Sequence, residues 1–197
     1  MSVLIATRPT IIDRFVPRSL AADIALIASG AALTALAAQI SIPMWPVPIT
    51  GQTLAVLLVG SVLGLSRGSL SMAFYVLLGA LGLPVFTGAK ALVLGGPTVG
   101  YLAGFIAAAA LTGWLAQRQW DRKWFGVLAS FVAGNAVIYA FGLPVLSMFL
   151  GSVGAPNDLS ATLAAGFTPF IVGDAIKMIL AAALLPLAWR GANNLKK

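Results

Sequence analysis

The sequence predicts an all-α membrane protein, with six transmembrane helices in a compact bundle and both termini in the cytoplasm. Of the 197 residues, 60% are hydrophobic and only 9% are charged. A soluble domain carries about a quarter charged residues, so a chain of this composition could not keep its surface in water. Six long apolar runs and a one-sided distribution of Lys and Arg complete the prediction. We expect a multi-pass protein of the cell membrane, surrounded by the lipid bilayer.

The apolar runs give the predicted helices, since a membrane span needs about 20 residues. We place the spans at residues 20–40, 50–65, 68–83, 98–115, 125–146 and 167–189. The second and third spans are short, and Gly64, Arg67 and Gly68 predict a tight turn between them. The whole chain, residues 1–197, is expected to form a single transmembrane domain. The stretch before the first span has no apolar core of adequate length, so it is not expected to be a cleavable signal peptide.

Positive charges set the expected orientation. They precede the first span, join the second to the third and the fourth to the fifth, and follow the sixth: Arg8, Arg14, Arg18, Arg67, Arg118, Arg122, Lys123, Arg190, Lys196 and Lys197. In a six-span bundle these residues share one side, which the positive-inside rule makes cytoplasmic. Only Lys90 and Lys177 fall on the outer half, so these two cations need another explanation.

Several functional classes lack the residues they need. The chain has no cysteine, histidine or glutamate, which excludes the common zinc ligand sets and the Ser/His and Cys/His pairs of hydrolases. We therefore predict no enzyme activity, no catalytic residue, no metal and no cofactor. The net charge is +7, but the positive residues sit in loops where orientation explains them, so nucleic acid is not an expected partner. No P-loop occurs, so active transport would need a partner or an ion gradient.

The outer connections carry irregular sequence that is suited to covering a pocket. Residues 41–52 contain three prolines around Trp45, and residues 84–97 are apolar but broken by glycines. Irregular backbone at membrane depth is tolerated only where protein or a cavity covers it. We expect these two loops to form the lid and wall of an outward-facing pocket. In residues 151–166, a short interfacial helix capped by Asn157 or Asp158 is expected.

Asp174 and Lys177 are the strongest candidates for a binding site. They lie three residues apart, on one helical face, within the apolar run 167–189. Charges in hydrocarbon nearly always face the bundle interior and mark a ligand site or a pathway. The alternative is that the two side chains only neutralise each other as a fastening between helices.

Five further residues are weaker candidates for ligand binding. Asn135 and Tyr139 lie four apart on one face of the fifth span, where an interhelical hydrogen bond is an equal alternative. Lys90 can add a donor from the loop above the pocket or extend its head group into water. Gln52 lies just inside the second span. Trp45 can contact a ligand or belong to the interfacial aromatic belt.

Small residues on the first span define a second type of surface. Ala28, Ala31, Ala32 and Ala35 follow the small-xxx-small spacing of close helix contacts. Such a stripe can pack within the bundle or dock a separate membrane subunit, and the pattern itself leaves both open. Glycines at the same spacing, Gly60/Gly64 and Gly100/Gly104, are expected to pack helices within the bundle.

Four motifs occur in order along the chain: IPMWPVPITGQT, LLGALGLPVFTG, GGPTVGYLAGF and FIVGDAIK. In their order and spacing they resemble the BioY family, the substrate-capture subunits of energy-coupling factor (ECF) biotin importers. The resemblance extends from the first span to the last.

The resemblance implies a six-helix bundle with a vitamin pocket near the outer surface, roofed by the loop after helix one and lined by the loop after helix three. It implies that Asp174 and Lys177 contact biotin, with Lys90 as the polar residue of the second loop. It also implies that the alanine stripe docks a transmembrane coupling subunit, which bears two ATP-binding subunits.

Other functions fit the sequence less well. A self-sufficient vitamin transporter in which Asp174 carries a coupling proton is the main alternative. A rhomboid-type protease would need the histidine that is absent. A pore would place its charges in a ring, whereas here they cluster on one helix.

Overall fold

The computed structural model describes residues 9–194, and most of this part of the chain is helical. The elements, in chain order, are α1 (Leu20–Gln39), β1 (Ser41–Ile42), β2 (Ile49–Thr50), α2 (Gln52–Ala80), α3 (Val99–Gln117), α4 (Trp124–Ser152), α5 (Leu159–Gly166) and α6 (Ile171–Asn194). Short 3-10 turns precede α1, α4 and α6. Arg8, Lys196 and Lys197 of the predicted cytoplasmic set lie outside the described residues.

The described residues form five long apolar helices of membrane-spanning length, so the prediction of six separate helices is wrong. The spans placed at 50–65 and 68–83 both lie in α2, because the helical backbone is interrupted only at Gly64, with φ 86° and ψ 178°. The other predicted spans match helices, although α4 continues past Pro144 to Ser152.

Gly64 nevertheless reverses the chain within α2. A Cβ atom added to Gly68 would lie 2.8 Å from the Cα atom of Gly60. In a straight helix, residues eight apart are separated by about 12 Å. The two halves of α2 therefore fold against each other, and the turn predicted at this point needs one non-helical glycine and no separate loop.

Close backbone contacts hold α2, α3 and α4 together. At Gly60 an added Cβ would lie 2.9 Å from the Cα of Ala109 in α3, and at Gly104 it would lie 2.9 Å from the Cα of Ile138 in α4. Only glycine fits at such distances. The prediction that these glycines pack helices within the bundle is confirmed. The helix α1 packs chiefly on α2, and α6 packs chiefly on α4, so α2 and α4 flank α3 in the centre.

Side-chain caps fix the ends of two helices. The Ser19 hydroxyl accepts a hydrogen bond from the Ala22 amide, 3.1 Å away, and begins α1. The Asp158 carboxylate accepts from the Ser160 and Ala161 amides at 2.8 and 3.0 Å and begins α5. The short capped helix predicted in residues 151–166 is thus confirmed, with Asp158 as the cap.

A charged cluster closes the end of the bundle where α2 reverses. The Arg67 guanidinium contacts Asp13 Oδ1 at 2.8 Å and Asp23 Oδ1 at 2.6 Å, so it joins the segment before α1 to the first turn of α1. Burial raises the pKa of Asp13, but hydrogen bonds from the Thr10 amide and Arg67 outweigh it and hold that pKa below its usual value. Asp23 lies in the first turn of α1 and pairs there with Arg67.

Candidate ligand-binding site

A cavity of about 590 Å³ lies at the other end of the bundle. Its walls come from α2, α3, α4 and α6, and its cover comes from the two connections that follow α1 and α2. Most of its lining is apolar, including Val47, Leu92, Phe105, Ile138, Phe149 and Phe170. Cavities of this size, apolar with a few placed polar groups, are typical of small-molecule sites.

The first covering segment is a β-hairpin. Its strands β1 and β2 are antiparallel, with Ser41 opposite Thr50 and Ile42 opposite Ile49. The proline-rich tip lies between them and includes Trp45, which is 67% exposed yet contributes to the cavity lining. The hairpin gives the proline-rich loop the hydrogen-bonded base that a lid over the cavity requires.

The second covering segment, residues 84–97, is held by two sets of hydrogen bonds. Phe86 and Lys90 exchange backbone hydrogen bonds of 3.0 and 3.3 Å across a tight turn. The Gln39 side chain at the end of α1 donates to the Phe86 carbonyl at 3.1 Å and accepts from the Ala89 amide at 3.2 Å. Both loops that were predicted to cover a pocket thus line this cavity, and Lys90 is part of the lining.

Four polar side chains meet at the base of the cavity. Lys177 Nζ lies 2.8 Å from Thr53 Oγ1 and 3.2 Å from Asp174 Oδ1. Thr53 Oγ1 lies 3.3 Å from the same carboxylate oxygen, and the Tyr139 hydroxyl donates to Asp174 Oδ2. The network joins α2, α4 and α6, and it balances one negative charge against one positive charge.

The two charged residues do not occupy equivalent positions in the network. Lys177 and Tyr139 line the cavity, whereas Asp174 is only 5% exposed and lies behind them. The predicted pair therefore exists as an ion pair, and because Lys177 lies at a cavity, ligand binding by this pair stays a prediction. Asp174 holds the network together from behind the cavity wall, and the ammonium group of Lys177 faces the cavity.

Gln52 lines the cavity and links the two covering segments. Its carbonyl oxygen accepts from the Thr50 hydroxyl at 2.9 Å, and its amide donates to the Tyr75 hydroxyl at 2.8 Å. Tyr75 donates in turn to the carbonyl of Val85 at 3.1 Å. One buried chain of hydrogen bonds therefore runs from the hairpin base to the second loop.

Asn135 is buried one helical turn from Tyr139, and it is not among the residues that line the cavity. Within the described residues, its Oδ1 atom has no hydrogen-bond partner. The structure therefore brings Tyr139 to the site and leaves Asn135 outside the wall, because the two side chains are separated by a full turn along α4.

Thr53 and Tyr101 belong to the site but were not predicted. Thr53 bonds both charged groups, and Tyr101 lines the cavity while its hydroxyl donates to the carbonyl of Gly166 at 2.9 Å. Tyr101 also packs edge-on against Tyr139, with ring centroids 6.3 Å apart. Thr53 stands directly after Gln52 in the motif, and this adjacency is the signal that could have identified it.

The alanines of α1 divide between two faces. Ala28 and Ala32 are exposed and Ala35 is half-buried, but Ala31 is only 1% exposed. Ala31 follows Gly30, at which an added Cβ would lie 2.6 Å from Ser71 Oγ of α2. The prediction that Ala31 docks a partner is wrong, because the helical period turns it into the bundle.

The long apolar helices and the covered cavity with a charged base define a multi-pass membrane protein with a small-molecule site at one end. Residues 8–194 match the model of the BioY family. The biotin transporter BioY of Thermotoga maritima is 46% identical over 155 residues, which are 78% of this chain and 87% of the relative. BioY of Rhizobium etli is 37% identical over 154 residues, covering 74% and 79%. The chain belongs to the BioY family.

A solved structure agrees with this assignment. It is the S-component for biotin from an ECF-type ABC transporter, and it superposes with a TM-score of 0.72 at 25% sequence identity. The match covers 86% of this chain and 92% of the other.

Proposed function

We propose that this chain is the biotin-binding S subunit of an ECF vitamin importer, which captures biotin in an outward-facing cavity and releases it inward when coupled to its partners. The family match and the relatives named as biotin transporters support the substrate. The observation that carries the proposal is the charged network at the base of a largely apolar cavity.

The chemistry of biotin fits the cavity described above. Its ureido group has two N–H donors and one strong C=O acceptor, its thiophane ring and valeryl chain are apolar, and its tail ends in a carboxylate. The apolar walls suit the ring and chain of biotin. The bottom of the cavity, with its carboxylate and ammonium groups, suits the two polar ends of the ligand. A buried polar group of the ligand must find a partner to avoid a desolvation cost of about 1–3 kcal/mol.

The network leaves hydrogen-bonding capacity for a ligand. Lys177 has three N–H donors, and Thr53 and Asp174 use two of them. A carboxylate has about four lone-pair sites, and Asp174 accepts from Thr53, Lys177 and Tyr139. We assign Lys177 to the ureido oxygen or the carboxylate of biotin, and Asp174, whose carboxylate lies behind the cavity lining, to holding Lys177 and Tyr139 in place.

The cover of the cavity supplies the remaining contacts in this proposal. Lys90 and Trp45 come from the two loops, one as a donor and the other as an aromatic wall, and Gln52 joins them from the start of α2. Tyr139 contributes its ring and holds Asp174 in place. Asn135 lies outside the cavity lining, so its role in binding is limited to support of the α4 wall.

The orientation follows from the charges at the two ends. At the end opposite the cavity, Arg67 lies where α2 reverses. Arg14 and Arg122 are at the same end, with their guanidinium groups over the Trp189 ring. The cavity end has Lys90 and Lys177 in the site. By the positive-inside rule the cavity opens outward and both termini are cytoplasmic.

The partners are a transmembrane coupling subunit and ATP-binding subunits. The exposed side of α1, with Ala28 and Ala32, offers a small-residue surface for close helix packing. The absence of a P-loop in the sequence means that the energy of ATP must come from other chains. The alternative, a stand-alone proton-coupled vitamin transporter, is not favoured by the family or by the structural match.

Calorimetric titration of the purified chain tests the proposal. Biotin should bind with a stoichiometry of one, and riboflavin and thiamine should not compete for the site. Desthiobiotin keeps the ureido group but lacks the thiophane sulfur, so it should bind more weakly than biotin. Equal binding of riboflavin and biotin, or no binding of biotin to folded protein, would refute the assignment.

A further inference from the structure

The surface between α3 and α4 lies at the end of the bundle opposite the cavity, and three of the five tryptophans of the chain fall within residues 114–125. The connector patch comprises the exposed aromatic and basic residues of this stretch: Trp114, Arg118, Trp120, Lys123, Trp124 and Phe125. None of these residues lines the cavity, so the proposed binding of biotin does not involve them.

The aromatic part of the connector patch is large and exposed. Trp124 and Phe125, the first two residues of α4, are 53% and 67% exposed, and their ring centroids are 3.5 Å apart. Indole rings in membrane proteins concentrate at the level of the lipid head groups, where one side of the ring is apolar and the other is wet. The composition of the patch is thus typical of the head-group level of a bilayer, and the patch lies where two helices of spanning length end.

The charge of the connector patch is positive. The guanidinium of Arg118 lies 3.5 Å from the centroid of the Trp114 ring, a cation–π contact that holds the charge at the surface. Arg118 and Lys123 form no ion pair with the described residues. The acid of this stretch, Asp121, is buried and accepts a hydrogen bond from the Trp189 indole, so it does not offset the exposed cations.

The connector patch is remote from the other surfaces with assigned roles. It joins α3 to α4, whereas α1, with its exposed alanines, packs on α2. It is also at the opposite end from the cavity. A coupling subunit seated on α1 therefore does not need this surface.

We propose that the connector patch is a binding site for the head group of an anionic phospholipid in the surrounding bilayer. Arg118 and Lys123 contact the phosphate, since a guanidinium donates two parallel hydrogen bonds to phosphate oxygens and an ammonium donates as a point charge. The Trp124 and Phe125 rings pack against the glycerol and upper acyl chains. The site would hold the α3–α4 end of the bundle at a fixed depth.

Native mass spectrometry of the full-length chain tests this, with phosphatidylglycerol or phosphatidylcholine titrated into the detergent-solubilised protein. Wild type should bind phosphatidylglycerol at least about fivefold more tightly, the effect of one basic residue near an anionic surface. Arg118→Gln and Lys123→Gln should each weaken phosphatidylglycerol binding by about fivefold. Arg18→Gln is the matched control, because it removes an exposed arginine ahead of α1, away from the α3–α4 connector, and it should weaken the affinity less than either patch variant does.

Three results would overturn the proposal. Equal affinity for the two lipids would show that the patch does not recognise an anionic head group. Equal losses in all three glutamine variants would indicate a general charge effect with no local site. Lost binding of a coupling subunit in Arg118→Gln, with phosphatidylglycerol binding intact, would make the patch a protein interface. Thermal unfolding and biotin titration of each variant separate these results from misfolding and from failure of the proposed function.

Discussion

Lys177 Nζ lies 2.8 Å from the hydroxyl of Thr53 in α2, closer than the 3.2 Å that separates it from Asp174 on its own helix. The lysine is therefore held across a helix interface as well as along one face of α6. This contact turns two charges that are neighbours in sequence into part of a site that depends on the packing of α2 against α6.

Thr53→Val should weaken biotin binding by about 1 kcal/mol, or roughly fivefold, because it removes one hydrogen bond from Lys177 while keeping the shape of the side chain. Isothermal titration of the purified variant measures the change. Thr34→Val is a matched control, since Thr34 is buried in α1 and bonds the carbonyl of Gly30 in its own helix. An unchanged affinity for Thr53→Val would mean that Thr53 does not position Lys177.

Asp174→Asn should weaken biotin binding by about 1.5–3 kcal/mol, the contribution of a hydrogen bond to a charged group. Tyr139→Phe, which removes only the hydroxyl that donates to Asp174, should weaken it less. Because the two groups touch, the effects should not add in the double variant, and the difference measures their coupling. Strictly additive losses would contradict a shared network.

Gly64→Ala should lower the stability of the folded chain by about 1–3 kcal/mol, since the position has φ 86° and a side chain there is strained. An added Cβ would also lie 2.9 Å from the side chains of Gln117 and Thr10. Thermal unfolding in detergent measures the loss. Gly191→Ala is the control, because an added Cβ there meets nothing within 4 Å. Biotin affinity of the folded variant should be retained, as the cavity lies at the other end.

Asp121 predicts a pH dependence of stability. Burial raises the pKa of this carboxyl to about 6, against a smaller lowering by the Trp189 hydrogen bond and by Arg122. A pKa that is higher in the folded than in the unfolded chain contributes stability fully below about pH 4, and this contribution is lost as the pH rises through about 6. The loss is on the order of 3 kcal/mol.

Thermal unfolding between pH 4 and pH 7 checks this expectation. Asp121→Asn, which keeps an oxygen acceptor for the Trp189 indole, should flatten the profile across that interval. The lowered pKa of Asp13 acts in the opposite direction, because its contribution is present above the unfolded pKa and is lost as the pH falls. The same profile in wild type and Asp121→Asn would show that Asp121 does not titrate there.

Ala32→Trp should block assembly with the coupling subunit, because a large ring on the exposed side of α1 keeps the partner helix from close approach. Co-purification of the subunits measures assembly, and biotin titration of the isolated chain should be unchanged. Ala183→Trp, at an exposed position of α6, is the control for added bulk on the membrane face. Normal assembly of Ala32→Trp would place the docking surface elsewhere.

Elements that are marked by a pattern of neighbouring residues were predicted well from the sequence. The apolar runs located the spans, and the proline-rich and glycine-broken segments were assigned to the cover of a pocket. The short capped helix followed from the residue types ahead of an alanine-rich stretch, although these left Asn157 and Asp158 both open as the cap. The charges of Asp174 and Lys177 stood out because charged residues in hydrocarbon are rare.

Elements that depend on distant neighbours were predicted less well. The count of helices was wrong because a single residue, Gly64, reverses α2 without a separating loop. Ala31 was grouped with exposed alanines because the spacing cannot say which side of α1 meets α2. The contact between Asp23 and Arg67 gives no local pattern in the sequence, because the two residues are 44 positions apart.

The sequence by itself determined that this chain spans a membrane, that its apolar runs are helical, and that one acid and one base lie within the last of them, because hydropathy and charge act residue by residue. The tertiary structure alone decided that Asp174 is the hidden anchor and Lys177 the exposed group, and that Thr53 and Tyr139 complete their network. Those roles depend on which faces of α2, α4 and α6 meet, and that is settled by packing between segments up to 124 positions apart.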